Sequence, residues 1–188
     1  MSDFKEDYFN YLKKRSFLAH VYMNFYLYPR LVRRMTGKAL DVGCGVGGFL
    51  RFRKNTIGAD VNEHNVNYCA EQGLNVRLIN SSRYPFEDTE FDSVILDNVL
   101  EHIAEPKETF EEISRVLKSK GRLVVGVPGI KGYLCDSDHK VFYDEEKLVV
   151  LMKQFGFAVN EVIHTPIKSS YLNKKISQYC LYGVFTKC

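Results

Sequence analysis

The chain has no tryptophan, few prolines and little excess charge, and each shortage removes a class of explanation. Its 26 basic and 23 acidic residues leave a net charge of +3, too weak to argue for nucleic acid as a partner. No run of about eighteen uncharged apolar residues occurs, so no transmembrane helix is expected. The start, Met1-Ser2-Asp3-Phe4-Lys5-Glu6-Asp7, lacks a basic stretch ahead of an apolar core, so no secretory signal peptide is expected. Cys44, Cys69, Cys135, Cys180 and Cys188 are odd in number, dispersed and without a CxxC pair. That spacing points to reduced thiols in a cytoplasmic protein and away from a disulfide framework or a metal site. Repeats and low-complexity tracts are missing too. At 188 residues the chain makes one full domain and is too short for two comfortable ones.

What is there in abundance is glycine at one place. Ala39-Leu40-Asp41-Val42-Gly43-Cys44-Gly45-Val46-Gly47-Gly48-Phe49-Leu50 reads as an apolar strand, a glycine-rich turn and the start of a helix. Glycines let a backbone approach a ligand and expose N–H groups at a helix start. Asp60 closes the next apolar run, where a carboxylate is placed to hold two ribose hydroxyls. The pattern marks a nucleoside-containing cofactor. Gly43, Gly45 and Gly48 also satisfy GxGxxG, so on these residues alone an NAD site stays open. Two features turn away from it. Asp41 stands two residues before the first glycine, well placed for a cationic ammonium and poorly placed beside a pyrophosphate. No second domain remains to house a hydride acceptor.

From residue 39 onward strands and helices alternate. Strands are predicted at 38–42, 56–60, 75–79, 91–97, 122–127, 157–164 and 178–186. Helices are predicted at 46–54, 62–72 with Asn62 as N-cap and Gly73 as stop, from Pro106 to Gly121, and from an Asp144 cap to Phe155. The stretch from Pro128 to Tyr143 reads as a loop. Such alternation implies an α/β, doubly wound, Rossmann-like domain with a mostly parallel sheet. Residues 1–38 read as a helical cap of one or two helices, 4–27 and 29–36 about Pro29, ahead of a domain over 39–188.

Several ordered blocks then resemble class I S-adenosylmethionine-dependent methyltransferases. They are Asp41 to Gly47, Tyr84-Pro85-Phe86-Glu87-Asp88 with Phe91-Asp92-Ser93-Val94, Val99-Leu100-Glu101-His102-Ile103, and Arg115-Val116-Leu117-Lys118 with Gly121-Arg122-Leu123. His139-Lys140-x-Phe142-Tyr143 ahead of Phe155-Gly156-Phe157 is similar to the small bacterial type 11/12-like branch, which holds ubiquinone-pathway-like and sugar-modifying enzymes. The resemblance implies a seven-stranded sheet with an antiparallel last strand, and S-adenosyl-L-methionine as cofactor. It implies that Gly43, Cys44, Gly45 and Gly47 line the methionine and ribose side, that Asp41 helps hold the ammonium, and that Asp60 takes the ribose hydroxyls with Val61 against the adenine. Where the family often has an acid after the third strand, Asn80-Ser81-Ser82 stands, so an amide, a hydroxyl or backbone must meet the adenine. Asp97 and Asn98 end the fourth strand, with their carbonyls near the ammonium.

A hydroxyl acceptor makes a base useful, and His102 and His139 are the candidates because histidine titrates near neutrality. His102 is expected at the start of the helix after the fourth strand, where it serves catalysis or caps and packs. His139 or Tyr143 is expected to face substrate from a lid loop. The cluster Cys135-Asp136-Ser137-Asp138-His139 has donors for a metal but not the spacing of a structural site, so no metal is expected. After the fourth strand Asp97-Asn98-Val99-Leu100 replaces the Asn/Asp-Pro-Pro-Tyr that accepts exocyclic amines, which disfavours a nucleobase acceptor. A small polar hydroxylated molecule such as a saccharide is the leading acceptor. Alternatives are C- or O-methylation of a quinone-like or lipid acceptor, and a non-catalytic cofactor-binding protein. The aromatic segment Tyr8 to Tyr28, with Lys13, Lys14 and Arg15, either packs over the cofactor mouth or seeks a membrane or lipid-linked substrate. Arg15, His20 or Arg30 is the candidate for the methionyl carboxylate.

Overall fold

The computed structural model describes Glu6 and residues 16–188. Two parallel strands fix its centre, β1 (Ala39–Val42) and β4 (Phe91–Asp97), with Asp41 opposite Ile95. Beyond β1 lie β2 (Thr56–Asp60) and β3 (Val76–Leu78), and beyond β4 lies β5 (Leu117–Pro128). β7 (Cys180–Lys187) runs antiparallel between β5 and β6 (Phe157–Thr165), completing the order β3-β2-β1-β4-β5-β7-β6. The order reverses direction between β1 and β4. In such sheets ligands bind at that switch point, outside the carboxyl ends of the strands.

Alternation along the strands sorts the core into two faces. Leu40, Val42, Val94, Leu96, Leu123 and Val125 point to one side and are essentially buried. α5 (Lys107–Val116) covers them with a stripe of Phe110, Ile113 and Val116, and α7 (Glu145–Gln154) adds Leu148 and Met152. Asp144 Oδ1 caps α7 by accepting the Lys147 N–H at 2.8 Å. Ala39, Ile95, Val124 and Tyr182 point to the other side. There the N-terminal segment packs: α1 (Phe17–Tyr22), a π turn (Met23–Leu27) and α2 (Tyr28–Val32), which bury Leu27, Tyr28 and Leu31. The remaining helices within residues 16–188 are α3 (Gly48–Phe52), α4 (Glu63–Glu71), α6 (Ile130–Leu134) and α8 (Ser170–Lys175).

Three local expectations need correcting. Gly121 does not end α5. Leu117 already leaves the helix in an extended conformation, fully buried and paired with Phe91, so β5 starts five residues before the predicted Arg122. The stretch after Pro128 holds a short helix, α6, and α8 lies between the last two strands where none was expected. Tyr143 is not on a lid, since it is buried in the core under α7. Lys13, Lys14, Arg15 and the aromatic residues Tyr8 to Leu12 lie outside the described residues.

Candidate active site

Three residues of the turn after β1 adopt left-handed backbone: Gly43 (φ +74°), Gly45 (+54°) and Gly47 (+76°). A Cβ on Gly43 would also lie 2.4 Å from Val99 Cγ2, so glycine is required there on two grounds. Asp60 braces the turn. Its Oδ2 accepts the Gly45 N–H at 2.8 Å and Asn65 Nδ2 at 3.2 Å, and its Oδ1 accepts the Asn62 N–H at 2.8 Å.

Above this turn opens a cleft of about 190 Å³. Asp41, Gly43, Cys44, Gly45, Asp97 and Asn98, all singled out from the sequence, line its floor and walls. The N-terminal segment supplies the opposite wall with His20, Asn24 and Tyr28, and Arg51 contributes from α3. Tyr28 stands edge-on to Phe49 at 5.2 Å, and its hydroxyl oxygen lies 2.9 Å from where a Gly48 Cβ would be. Tyr28 ends the aromatic segment expected over the cofactor mouth, whereas Asn24 and Arg51 were not singled out: Asn24 reaches the turn only through the packing of that segment, and Arg51 folds back on it from within α3, donating to the Val46 carbonyl. Of the three candidates for an anion, His20 lines the cleft, Arg15 is outside the described residues, and Arg30 stacks on Tyr26 and donates to its carbonyl. Val61, Asn80 and Ser81 are exposed and do not line this cleft, and Ser81 Oγ donates to the Arg83 carbonyl.

The end of β4 is held firmly. Asp97 Oδ1 accepts from the Tyr182 hydroxyl and from Asn98 Nδ2, each at 2.8 Å. Asn98 adopts a left-handed conformation (φ +56°) and its N–H donates to the Gly126 carbonyl at 3.0 Å. Burial holds the Asp41 carboxyl well above the usual carboxylate range, and the neighbouring Asp97 and Asp60 push it the same way.

His102 and His139, far apart in sequence, meet with ring centroids 4.7 Å apart. His102 sits in a 3₁₀ turn (Leu100–His102) ahead of α5, not in the helix, and its Nδ1 lies 3.1 Å from Asp138 Oδ2. His139 is not displayed on a lid. It packs between Tyr133 and His102, with Nδ1 2.8 Å from the Tyr133 carbonyl oxygen. Glu101, overlooked in the sequence, lies beneath them at 1% exposure, with Oε1 3.9 Å from His139 Nε2. Burial pushes its pKa up to about 8, with Asp97 and Asp136 adding to the shift.

The methyltransferase-domain family matches residues 40–125, which run from β1 through most of β5. That match and the fold together support a class I S-adenosylmethionine-dependent methyltransferase. An uncharacterized protein of Methanocaldococcus jannaschii is 28% identical over 76% of this chain and 68% of its own length. The 24-methylenesterol C-methyltransferase 2 of Arabidopsis thaliana is 37% identical over 43% of this chain, but only 26% of that enzyme is covered. A SAM-dependent methyltransferase structure from Thermotoga maritima shares the fold, with a TM-score of 0.77 over 98% of both chains at 20% identity.

S-adenosylmethionine is the cofactor of this methyltransferase, and the donor set fits it. The cofactor carries an ammonium and a sulfonium, and the cleft sets Asp41 and Asp97 beside the glycine turn. Asp41, whose ionised form is disfavoured by burial and then by the neighbouring Asp97 and Asp60, is matched by a cation and not by a pyrophosphate. No helix among the described residues is long and apolar enough to cross a membrane.

Proposed function

We propose that this methyltransferase transfers the methyl group of S-adenosylmethionine to a hydroxyl of a small polar molecule such as a saccharide. The observation that carries this reading is the meeting of His102, His139 and Glu101 one turn beyond Asn98, which itself lines the cofactor cleft. A polar cluster just past the end of β4 suits an acceptor whose oxygen loses a proton during transfer. The cofactor supplies an already activated methyl group. Asp41 and the carbonyls of Asp97 and Asn98 hold its ammonium. Gly43, Cys44, Gly45 and Gly47 line its methionine and ribose side, their N–H groups being held by Ala59, Asp60 and the turn itself. Asp60 exchanges a bond to the turn for the ribose hydroxyls, and Val61, exposed, backs the adenine, with Asn80 and Ser81 at its edge. His20 meets the carboxylate. Residues 1–38 act as a cap on a domain over 39–188, and the reducing cytoplasm is the compartment that five free cysteines suit.

The test is transfer of labelled methyl from S-adenosylmethionine to a panel of polyols, glycosides, quinols and lipids. Labelled polyol or glycoside ethers support the reading. Label confined to quinol or lipid products overturns it.

One observation favours that second acceptor class. Phe17, Leu18 and Phe25 on the N-terminal segment are 79%, 76% and 82% exposed. Such a face suits a lipid or quinone-like acceptor delivered at a membrane surface, and it predicts activity that requires detergent or liposomes.

A further inference from the structure

Among the described residues, neither oxygen of the buried Glu101 carboxyl accepts a hydrogen bond from another residue. A fully buried acid with both oxygens unsatisfied is costly and calls for a missing partner. Two imidazoles lie beside it. One ligating atom from each of Glu101, His102 and His139 lies within 4.8 Å of the others.

Outer partners also fix the tautomers of the two rings. A carbonyl oxygen only accepts, so His139 Nδ1 donates to Tyr133 and Nε2 is the basic nitrogen, on the side of Glu101. A carboxylate likewise accepts, so Asp138 fixes His102 with its proton on Nδ1. Histidines that bind metals carry this kind of outer partner, a carboxylate or a carbonyl on the second nitrogen. The two segments are pinned together as well, because the Glu101 carbonyl accepts the N–H groups of Lys140 (2.7 Å) and Val141 (3.1 Å).

We propose that Glu101, His102 and His139 bind a divalent transition-metal cation, with Asp138 and the Tyr133 carbonyl as positioning groups. Metal–nitrogen bonds of about 2.0–2.1 Å require the three ligands to close in by roughly 1 Å, a side-chain adjustment. Two imidazoles and one carboxylate suit zinc, iron or manganese, and leave coordination positions for an oxygen. The absence of any metal was expected from the spacing of residues 135–139 alone. The cluster instead draws ligands from two distant segments, and Cys135 is exposed and outside it. If the O-methyltransferase reading holds, the acceptor oxygen occupies an open position on the cation. The imidazoles are then ligands and not bases. Cation binding itself does not rest on that reading.

The test uses the full chain, stripped with chelator and titrated with Co²⁺, read by visible absorption and calorimetry. One Co²⁺ per chain is expected, without the sulfur-to-cobalt charge-transfer band that a thiolate ligand gives. Affinity falls at least tenfold in Glu101→Gln and His139→Ala, and about 10–100-fold in Asp138→Asn. Each variant is first shown to be folded by circular dichroism and a cooperative thermal transition; the conservative Glu101→Gln guards against loss of fold in the larger truncation. Failure to bind one equivalent, a thiolate band, or unchanged affinity in both Glu101→Gln and His139→Ala overturns the proposal. Because Co²⁺ binding is read without cofactor or acceptor, such a failure leaves the methyl-transfer reading to its own assay.

Discussion

Asp60 Oδ2 accepts the Gly45 N–H at 2.8 Å, so the acid that closes β2 braces the glycine turn that follows β1. The same carboxylate takes the Asn62 N–H that leads into α4 and the Asn65 amide within it. It therefore ties a strand end, a turn and a helix start into one rigid corner. Ribose hydroxyls arriving here would take the place of one of these donors.

Asp60→Ala removes that brace and the acceptor together. Hydrogen bonds to a charged group contribute about 1.5–3 kcal/mol, so affinity for S-adenosylhomocysteine should fall roughly 10- to 100-fold. Calorimetry is the measurement of choice, since the chain has no tryptophan. Unchanged affinity would remove Asp60 from the site.

Asp41 links stability to pH. Burial and the nearby Asp97 and Asp60 raise its folded-state pKa above the ordinary 3.8. The folded protein thus keeps a proton that the unfolded chain releases. Its contribution is fully present below that ordinary pKa and is lost as pH rises through the raised one. Asp41→Asn carries no such proton, so its Tm without ligand should fall less between pH 4 and neutrality, while its affinity for the cationic cofactor drops. Calorimetric scans across pH, with and without S-adenosylmethionine, check both. A parallel pH dependence in parent and variant would contradict this account of Asp41.

Gly43→Ala tests the turn itself. A non-glycine residue at φ +74° costs on the order of 1–3 kcal/mol, before the contact with Val99 is counted. For a chain of this size that is a Tm lowered by roughly 2–12 °C. Adding Val99→Ala should relieve the clash but not the backbone strain, so only part of the loss returns. Full recovery in the double variant would show that the left-handed backbone carries no strain.

Much of this was legible from residues 39–188 because local rules and tertiary structure agree there. Asn62 and Asp144 are caps in sequence and in space, and Gly73 and Gly156 stop helices in left-handed backbone. The local rule failed where packing overrode it. Gly121 looks like a helix stop, yet Leu117 gains more by burial beside Phe91 than by another helical turn. Tyr143 reads as a loop aromatic until the core is assembled. Glu101 carried no signal of its own, since an acid between Leu100 and His102 is ordinary until it is found buried under two imidazoles.

Tyr28 fastens the N-terminal segment to the glycine turn through Phe49 and Phe52, with ring centroids 5.2 and 5.4 Å away. Truncating a buried aromatic costs about 3–5 kcal/mol. Tyr28→Ala should lose that much in denaturant unfolding and release S-adenosylhomocysteine faster. Stability within about 1 kcal/mol of the parent would show that the segment is not held there.

The central claim is that the corner formed by Asp41, Gly43–Gly47 and Asp60 binds S-adenosylmethionine and not a dinucleotide. Thermal denaturation with S-adenosylmethionine, S-adenosylhomocysteine and NAD in parallel tests it most directly. At a hundred times its dissociation constant a ligand adds about 2.7 kcal/mol to stability. The expected result is a raised Tm with the first two, roughly halved or less in Asp60→Ala, and none with NAD. A shift with NAD alone would contradict it.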